Sequence, residues 1–221
     1  MKKILLTLIL FLTISMPVLA LPEKPVEAKD FSYLFNSING LSESQLKQHN
    51  TLYLRYVKKL NELNEKIEKA DKSTANAAHS EYRSLKIDRS FSNNGVLLHE
   101  MYFSNLTSKN TELSKELKSK ICSDFGSFEN YISDLQASMR ATRNGWVISV
   151  YNCTTNKIEN YIFESHDLNV PVNSPIILAI DVWEHSYMID YGIDKESYIK
   201  TLFKNIDWQI VSKRYSKALK N

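Results

Sequence analysis

Glycine, proline and cysteine are scarce in this sequence, with five, five and two residues among 221. So little glycine and proline argues against a low-complexity chain or a disordered tail. Hydrophobic residues make up 43% and charged residues 24% of the chain, and tyrosine is abundant at 12. This length and composition predict a folded chain of one compact domain or of two small lobes that share a core.

The chain also has no large excess of positive or negative charge outside its first twenty residues. The formal net charge is +3, but the first twenty residues contain two lysines and no acid. Without them the chain is close to neutral, at about +1, so nothing demands nucleic acid or an anionic membrane as a partner. We expect no nucleic-acid partner.

Residues 1–20, MKKILLTLILFLTISMPVLA, are typical of an export signal. Lys2 and Lys3 precede the apolar run Ile4–Ile14, and a small-x-small site ends at Ala20. An uncleaved anchor is the alternative, although the apolar run is short for a bilayer span. We predict a signal peptide over residues 1–20 with cleavage after Ala20. The mature chain is then periplasmic or secreted and has no membrane attachment.

Export bears on the two cysteines, Cys122 and Cys153. In an oxidising compartment such a pair favours a disulfide, which contributes roughly 3–4 kcal/mol for a loop of this length. A buried, reduced pair is the alternative, because the sequence does not show that the two side chains approach each other.

The N-terminal half predicts a helical hairpin. SESQ is a capping box in which Ser42 is the cap and Gln45 its partner. A long apolar face follows at helical spacing: Leu46, His49, Tyr53, Tyr56, Leu60, Leu63 and Ile67. A second helix is predicted from near Thr74, with a kink or interruption at Phe91–Gly95. The short connection between the helices favours an antiparallel pair.

The C-terminal half predicts a small sheet among helices. One or two helices around the turn FGSF lie within Cys122–Met139, and two more close the chain at Lys195–Asn205 and Asp207–Ala218. Three strands are expected between them: Trp146–Asn152, Ile158–Phe163 and Ile176–Val182. The predicted class is α+β. It has an N-terminal antiparallel long helical hairpin (21–112) and a C-terminal lobe (113–221) with a three-stranded antiparallel sheet and surrounding helices.

The five histidines differ in their surroundings. His79 has no apolar companions at helical spacing and is predicted to lie on a solvated helix face. His49 and His99 each lie in the middle of an apolar helix face. A single histidine there is more often a core residue with a protein partner than a ligand. Two on paired helices need acceptors in one apolar layer, and a shared metal satisfies both.

A second polar group interrupts the last strand. Asp181 ends its apolar run, and His185 follows four residues later, where a turn brings both to the same side. Together with His49 and His99 they make a set of three nitrogens and one oxygen, which suits Fe, Mn or Zn. From this spacing alone a zinc hydrolase is as reasonable as redox chemistry.

Several stretches resemble the iron/manganese superoxide dismutase family. DVWEHSYMIDY (Asp181–Tyr191) is similar to the family's DVWEHAYYxDY signature, which is specific. Others follow in family order from about residue 35 to 216: QLKQHNTLYLRYVKKLNELNEKI (first helix), NNGVLLHEMYFSNL (second helix), DFGSFENY (turn), NGWVISVY (strand) and NIDWQIVSKRY (last helix).

The resemblance implies that His49, His99, Asp181 and His185 bind one Fe or Mn ion per chain. It implies the fold described above, with the metal between the two lobes, and the conversion of superoxide to dioxygen and hydrogen peroxide. The bound solvent is the natural proton carrier, because a metal ion lowers the pKa of its water. A non-catalytic metal-binding descendant, used for metal storage or as a structural partner, is the alternative.

A glutamine usually holds that solvent in the family, and it is missing here. Its second-helix position is Gly95, and the loop FESHDLNVPVNSP has His166 at about the right place. We therefore assign the solvent hydrogen bond to His166, with an exposed loop histidine as the alternative. Trp146 and Trp183 are expected to line the metal cavity.

The first helix departs from the family by one residue. The run YVxxLN aligns Tyr56 with the family's gateway tyrosine but requires a deletion beside His49, and Tyr53 is the alternative gateway. Met188 replaces a tyrosine that reaches across the family's dimer, and Tyr53 replaces the histidine it meets. Glu184 remains, so we expect a homodimer through the Glu184–His185 region.

Overall fold

The computed structural model describes residues 24–220, so the predicted signal peptide and its cleavage after Ala20 lie outside the described residues. Helix α1 (Glu43–Lys69) and helix α2 (Glu81–Ser104) run antiparallel. Ser42 begins α1, because its hydroxyl accepts a hydrogen bond from the backbone N–H of Gln45 at 3.0 Å. The apolar face predicted for α1 packs on α2 as expected.

The start of α2 differs from the prediction. The helix begins at Glu81, not near Thr74, because the Ser80 hydroxyl caps it and the Asn76 side chain accepts from the N–H of His79 to form the preceding turn. His79 is exposed as predicted, but it lies in this turn and not on a helix. Of the kink or interruption predicted at Phe91–Gly95, the interruption does not occur, since tertiary packing carries the helix through this stretch.

The FGSF turn separates two short helices, α3 (Lys115–Phe125) and α4 (Phe128–Ala141). Gly126 ends α3 with a positive φ of 85°, a conformation that glycine adopts without strain. The hydroxyl of Ser127 then caps α4. Both helices pack against the sheet that follows.

Three strands form an antiparallel sheet in the order β2–β1–β3: β1 (Trp146–Asn152), β2 (Lys157–Phe163) and β3 (Ile176–Asp181). The central strand β1 is buried along most of its length. Its first residue, Trp146, pairs with the last residue of β3, Asp181. The register therefore brings a large aromatic side chain next to the acid that ends the apolar run.

The chain closes with a short helix, α5 (Met188–Tyr191), and two longer ones, α6 (Lys195–Lys204) and α7 (Trp208–Ala218). Asp194 and Asp207 cap α6 and α7. One hydrophobic core runs through the hairpin and the sheet lobe. The predicted α+β class, with a helical hairpin and a three-stranded antiparallel sheet, is confirmed. Among residues 24–220 no helix is both long and apolar enough to span a bilayer.

Two side chains tie α2 to β3. The Asn105 amide, fully buried, donates to the carbonyl oxygen of Ala179 at 2.7 Å. The Arg214 guanidinium donates to the carbonyl oxygens of Met101 at 3.1 Å and Ile177 at 3.2 Å. Because α2 and β3 each supply a predicted metal ligand, these bonds also fix the ligands relative to each other.

The disulfide that export favoured is not formed. Cys122 and Cys153, both within the described part of the chain, are free. Cys122 lies on α3, whereas Cys153 follows β1, where its N–H donates to the carbonyl of Asn173 and ties it to the segment before β3.

Candidate metal centre

Asp181 is held rigidly at the end of β3. Its side chain is fully buried. Its Oδ1 accepts the backbone N–H of Trp183 at 2.8 Å, and its carbonyl oxygen accepts the Tyr198 hydroxyl at 2.7 Å. The second carboxylate oxygen, Oδ2, is therefore free of the local turn and faces the helical hairpin.

Three histidines converge on that oxygen. Nε2 lies 3.1 Å from Asp181 Oδ2 in His49, 3.2 Å in His185 and 3.9 Å in His99. One ligand atom from each of the four residues falls within 4.8 Å of all the others. The structure thus brings together the four predicted ligands from α1, α2, β3 and the turn after β3.

The backbone orients the His99 ring. His99 Nδ1 lies 2.6 Å from the carbonyl oxygen of Gly95, one helical turn earlier, so Nδ1 carries the proton and donates it. Nε2 then presents a lone pair, and this buried atom has no hydrogen-bond partner among residues 24–220. Such a fixed tautomer with an unsatisfied acceptor is what a metal ligand requires.

His185 is positioned by a residue of α1. It lies in a 3₁₀ turn (Glu184–Ser186), and Gln45 donates to its carbonyl oxygen at 2.6 Å. The Gln45 side chain also accepts the N–H of Ile189 at 3.1 Å. Gln45 is therefore not the side-chain partner of Ser42 that the capping box predicts. Its role was not evident from the sequence, because it depends on a contact 140 residues away.

The charges of the centre follow from burial and proximity. Burial lowers the pKa of His49, and it lowers the pKa of His99 to about 3, so both rings are neutral at pH 7. Burial opposes ionisation of Asp181, but the adjacent His185 and His49 hold the pKa of this carboxyl well below its usual range. Burial also opposes a charge on His185, yet Asp181 raises its pKa. A buried carboxylate facing three histidines needs a cation among them.

This donor set fits one metal ion. Four atoms that surround an ion at about 2.1 Å lie roughly 3–4 Å apart, and the distances from Asp181 Oδ2 to the three nitrogens have that size. Neutral imidazole nitrogens with one carboxylate oxygen suit Fe, Mn or Zn.

A second hydrogen-bonded group adjoins the centre. The Trp146 indole N–H donates to His166 Nδ1 at 2.9 Å, and His166 Nε2 lies 2.9 Å from the Tyr56 hydroxyl oxygen. Because indole can only donate, Nδ1 accepts. Burial lowers the pKa of His166 to about 4, so the ring is neutral and Nε2 carries its only N–H proton. Tyr56 therefore accepts from His166 and keeps its own proton for another acceptor.

This arrangement separates the two gateway candidates. The Tyr53 hydroxyl donates to Glu100 Oε1 at 3.0 Å and accepts the backbone N–H of Lys29 at 2.9 Å, so it points away from His166. Tyr56 instead meets His166. Since α1 is a continuous helix, His49 and Tyr56 lie seven residues, or about two turns, apart on one face. The one-residue deletion beside His49, relative to the family pattern, therefore leaves α1 unbroken.

Gly95, at the position where the family's second helix can carry the glutamine, leaves room for the Tyr56 ring. A Cβ atom at Gly95 would lie 3.0–3.2 Å from three atoms of the Tyr56 ring. A side chain at this position therefore requires the Tyr56 ring to shift by a few tenths of an ångström. The nearby hydrogen-bonding residue is His166, which is almost fully buried and is not an exposed loop histidine.

Both predicted tryptophans border the ligands. The ring of Trp146 meets that of His99 edge-on with centroids 5.1 Å apart. The ring of Trp183 stacks on His185 at 6.1 Å with an interplanar angle of 14°. Aromatic walls on two sides keep the surroundings of the ligands apolar.

A buried mononuclear centre of three histidines and one aspartate, between a helical hairpin and a small antiparallel sheet, defines a mononuclear metalloprotein of α+β class. Residues 113–214 match the family described as iron/manganese superoxide dismutases, C-terminal domain. The chain is 37% identical over 189 residues to "Superoxide dismutase [Fe]" of Aquifex pyrophilus, covering 83% of this chain and 88% of that one. It is 34% identical over 132 residues to "Superoxide dismutase [Mn] 1" of Halobacterium salinarum, covering 59% and 66%. The chain belongs to the iron/manganese superoxide dismutase family.

The centre makes a direct prediction about metal uptake. His185→Ala removes one nitrogen and is expected to lower the Fe or Mn content of the purified protein from near one ion per chain to a small fraction, measured by elemental analysis. His79→Ala is the matched control, because that exposed histidine lies in the connection between α1 and α2 and is not one of the four ligands. Equal metal content in both variants contradicts the assignment of His185.

Proposed function

We propose that this chain is a superoxide dismutase, which converts two superoxide anions and two protons into dioxygen and hydrogen peroxide. The observation that carries the proposal is the four-residue cluster, buried except for part of His185, in a chain that is 37% identical to an iron superoxide dismutase. His49, His99, Asp181 and His185 are the residues that hold Fe or Mn. When bound, the ion supplies one-electron chemistry by alternating between two oxidation states.

The protein has to deliver protons while keeping the ligands dry. His49, His99 and Asp181 are essentially inaccessible to solvent, with exposed fractions of 1%, 0% and 0%. Tyr56, whose pKa is raised by burial, stays protonated at neutral pH and has an O–H to donate. We assign Tyr56 as the gateway residue that presents this proton. His166 donates its only N–H, on Nε2, to Tyr56, so its effect on solvent at the metal would pass through the Tyr56 hydroxyl.

The test uses purified protein loaded separately with iron, manganese and zinc. We expect superoxide consumption from the iron or the manganese form, at close to one ion per chain, and none from the zinc form. Protein that retains only zinc and scavenges no superoxide refutes the enzyme and supports the non-catalytic metal-binding descendant.

The role of His166 can be tested separately from metal binding. His166→Ala removes the partner of Tyr56 and of Trp146, and we expect normal metal content with turnover reduced about 10- to 100-fold. His166→Gln is the matched variant, because an amide can accept from the indole and donate to the tyrosine. It should recover much of the loss. Unchanged kinetics in His166→Ala would show that the assignment is wrong.

We also propose that the mature chain begins at Leu21 and works in the periplasm or outside the cell. The support is the sequence of residues 1–20, in which two lysines, an apolar run and a small-x-small site occur in the order of an export signal. An enzyme at that location acts on superoxide formed outside the cytoplasm.

A homodimer through the Glu184–His185 region is the third proposal. His185 keeps 30% of its side chain exposed although the other three ligand residues are buried. Glu184 is exposed beside it, and Met188 and Ile189 are 41% and 45% exposed. A second copy seated there would cover the accessible ligand and these apolar side chains.

One measurement addresses export and assembly together. Native mass spectrometry of the protein purified from its producing cell should give a particle of two chains, each starting at Leu21. A chain that starts at Met1 contradicts cleavage, and a particle of one chain at micromolar concentration contradicts the dimer.

A further inference from the structure

Lys29, Tyr53 and Glu100 form a polar network next to the metal ligands, and none of the three has a role in the proposed proton delivery. The Glu100 carboxylate accepts the Tyr53 hydroxyl through Oε1 at 3.0 Å, and its Oε2 forms an ion pair with the Lys29 ammonium. The backbone N–H of Lys29 donates to the same Tyr53 oxygen at 2.9 Å. The three residues therefore form a closed set of hydrogen bonds that joins α1, α2 and the segment before α1.

The network borders two of the proposed ligands. Glu100 directly follows His99 on α2, and Tyr53 lies one turn after His49 on α1. The ring centroids of Tyr53 and His99 are 6.5 Å apart. The Glu100 carboxylate is therefore one hydrogen bond away from a tyrosine whose ring neighbours that of His99.

The cation is held in place by its own segment. The Asn61 side chain makes two hydrogen bonds with the backbone of Val26, at 2.8 and 2.9 Å. Phe31 is buried against Tyr53 and Phe103, with ring centroids 5.6 and 5.0 Å away. Anchors on both sides of Lys29 fix its backbone, so its ammonium stays within reach of Glu100.

The two charges are unequally exposed. Only 11% of the Glu100 side chain is exposed to solvent, against 65% for Lys29. Glu100 lines a groove of about 470 Å³ with the cations of Lys213, Arg214 and Lys217, but Lys29 is the one that contacts its carboxylate among the described residues. A buried charge acts over a longer range than an exposed one, because water screens the latter.

We propose that the Glu100–Lys29 pair tunes the reduction potential of the bound metal, with Glu100 lowering it and Lys29 raising it. A nearby negative charge favours the more positive, oxidised ion, and a nearby positive charge favours the reduced one. Because Glu100 is the more buried of the two, its effect should be the larger. The inference deepens the proposed function, on which it rests for the presence of a redox-active ion at the four ligands.

The test is the midpoint potential of the iron-loaded protein, measured by redox titration at a fixed pH of 8. Glu100→Gln should raise the potential, and Lys29→Met should lower it by a smaller amount. The double variant should fall between the two single variants. Glutamine still accepts the Tyr53 hydroxyl, so the first change removes the charge and keeps the hydrogen bond. Opposite signs cannot result from a general loosening of the fold.

Two controls separate charge from structure. Tyr53→Phe removes hydrogen bonds but no charge, so its potential should stay close to that of the wild type even if its stability falls. Lys120→Met breaks a pair of similar burial on α3, where Lys120 lies 2.9 Å from Asp124, which is 5% exposed. That helix carries none of the four ligands, and the potential should not move.

The results of these measurements distinguish the tuning role of the Glu100–Lys29 pair from the proposed dismutase activity. Potentials that do not move, or that shift in the same direction in both single variants, overturn the tuning role and leave the dismutase intact. A wild-type protein that binds neither Fe nor Mn overturns the proposed function and this inference with it. If iron binds and the predicted shifts occur but superoxide is not consumed, the tuning holds and the dismutase proposal fails.

Discussion

The buried carboxylate of Asp181 is the constraint on which the rest of the site depends. An ionised carboxyl inside a protein is costly unless charge and hydrogen bonds compensate it. Here one oxygen is satisfied by the N–H of Trp183, and the other faces three histidine nitrogens. Those histidines come from α1, α2 and the turn after β3, so the hairpin and the sheet lobe have to meet at this carboxylate. The hairpin and the sheet lobe therefore share both a hydrophobic core and a set of ligand residues where they meet.

Two features of the hairpin suit it to this contact: the spacing of His49 and Tyr56 on α1, and the glycine at position 95 on α2. The separation of seven residues between His49 and Tyr56 suits a regular helix, so α1 needs no distortion to present both on one face. The space that Tyr56 occupies exists because position 95 is glycine, whose carbonyl oxygen also fixes the tautomer of His99. One residue without a side chain thus serves the ligand and the tyrosine at once. Its low helix propensity is outweighed by these contacts, which is why the predicted break in α2 does not occur.

The sequence predicted the parts of the site that interrupt a pattern. His49 and His99 break apolar helix faces and Asp181 ends an apolar strand, so residue types and periodicity pointed to them. For Gln45 the capping box correctly predicted the hydrogen bond from its backbone N–H to Ser42 but not the partner of its side chain. That side chain donates to the carbonyl oxygen of His185, which is distant in the sequence. The α1–α2 connection was placed too early because the Asn76 and Ser80 bonds that form it leave no periodic signal. The favoured disulfide does not form, because an oxidising compartment and an even number of cysteines do not show that the two side chains lie close together.

Three residues next to the ligands, Tyr53, Glu100 and Lys29, depend on one another. Tyr53 stands where the resemblance places a histidine that meets a tyrosine of the partner subunit, and in this structure it donates to Glu100 of its own chain. A tyrosine whose pKa is raised to about 12 by burial remains a donor, so it needs an acceptor in the core. Glu100 supplies that acceptor and introduces a charge, and Lys29 supplies the counter-charge. The hydrogen bond of Tyr53 therefore connects a charge pair to the helix position that follows His99. The four ligand residues suit either iron or manganese, so a preference for one of these metals has to come from the groups around them.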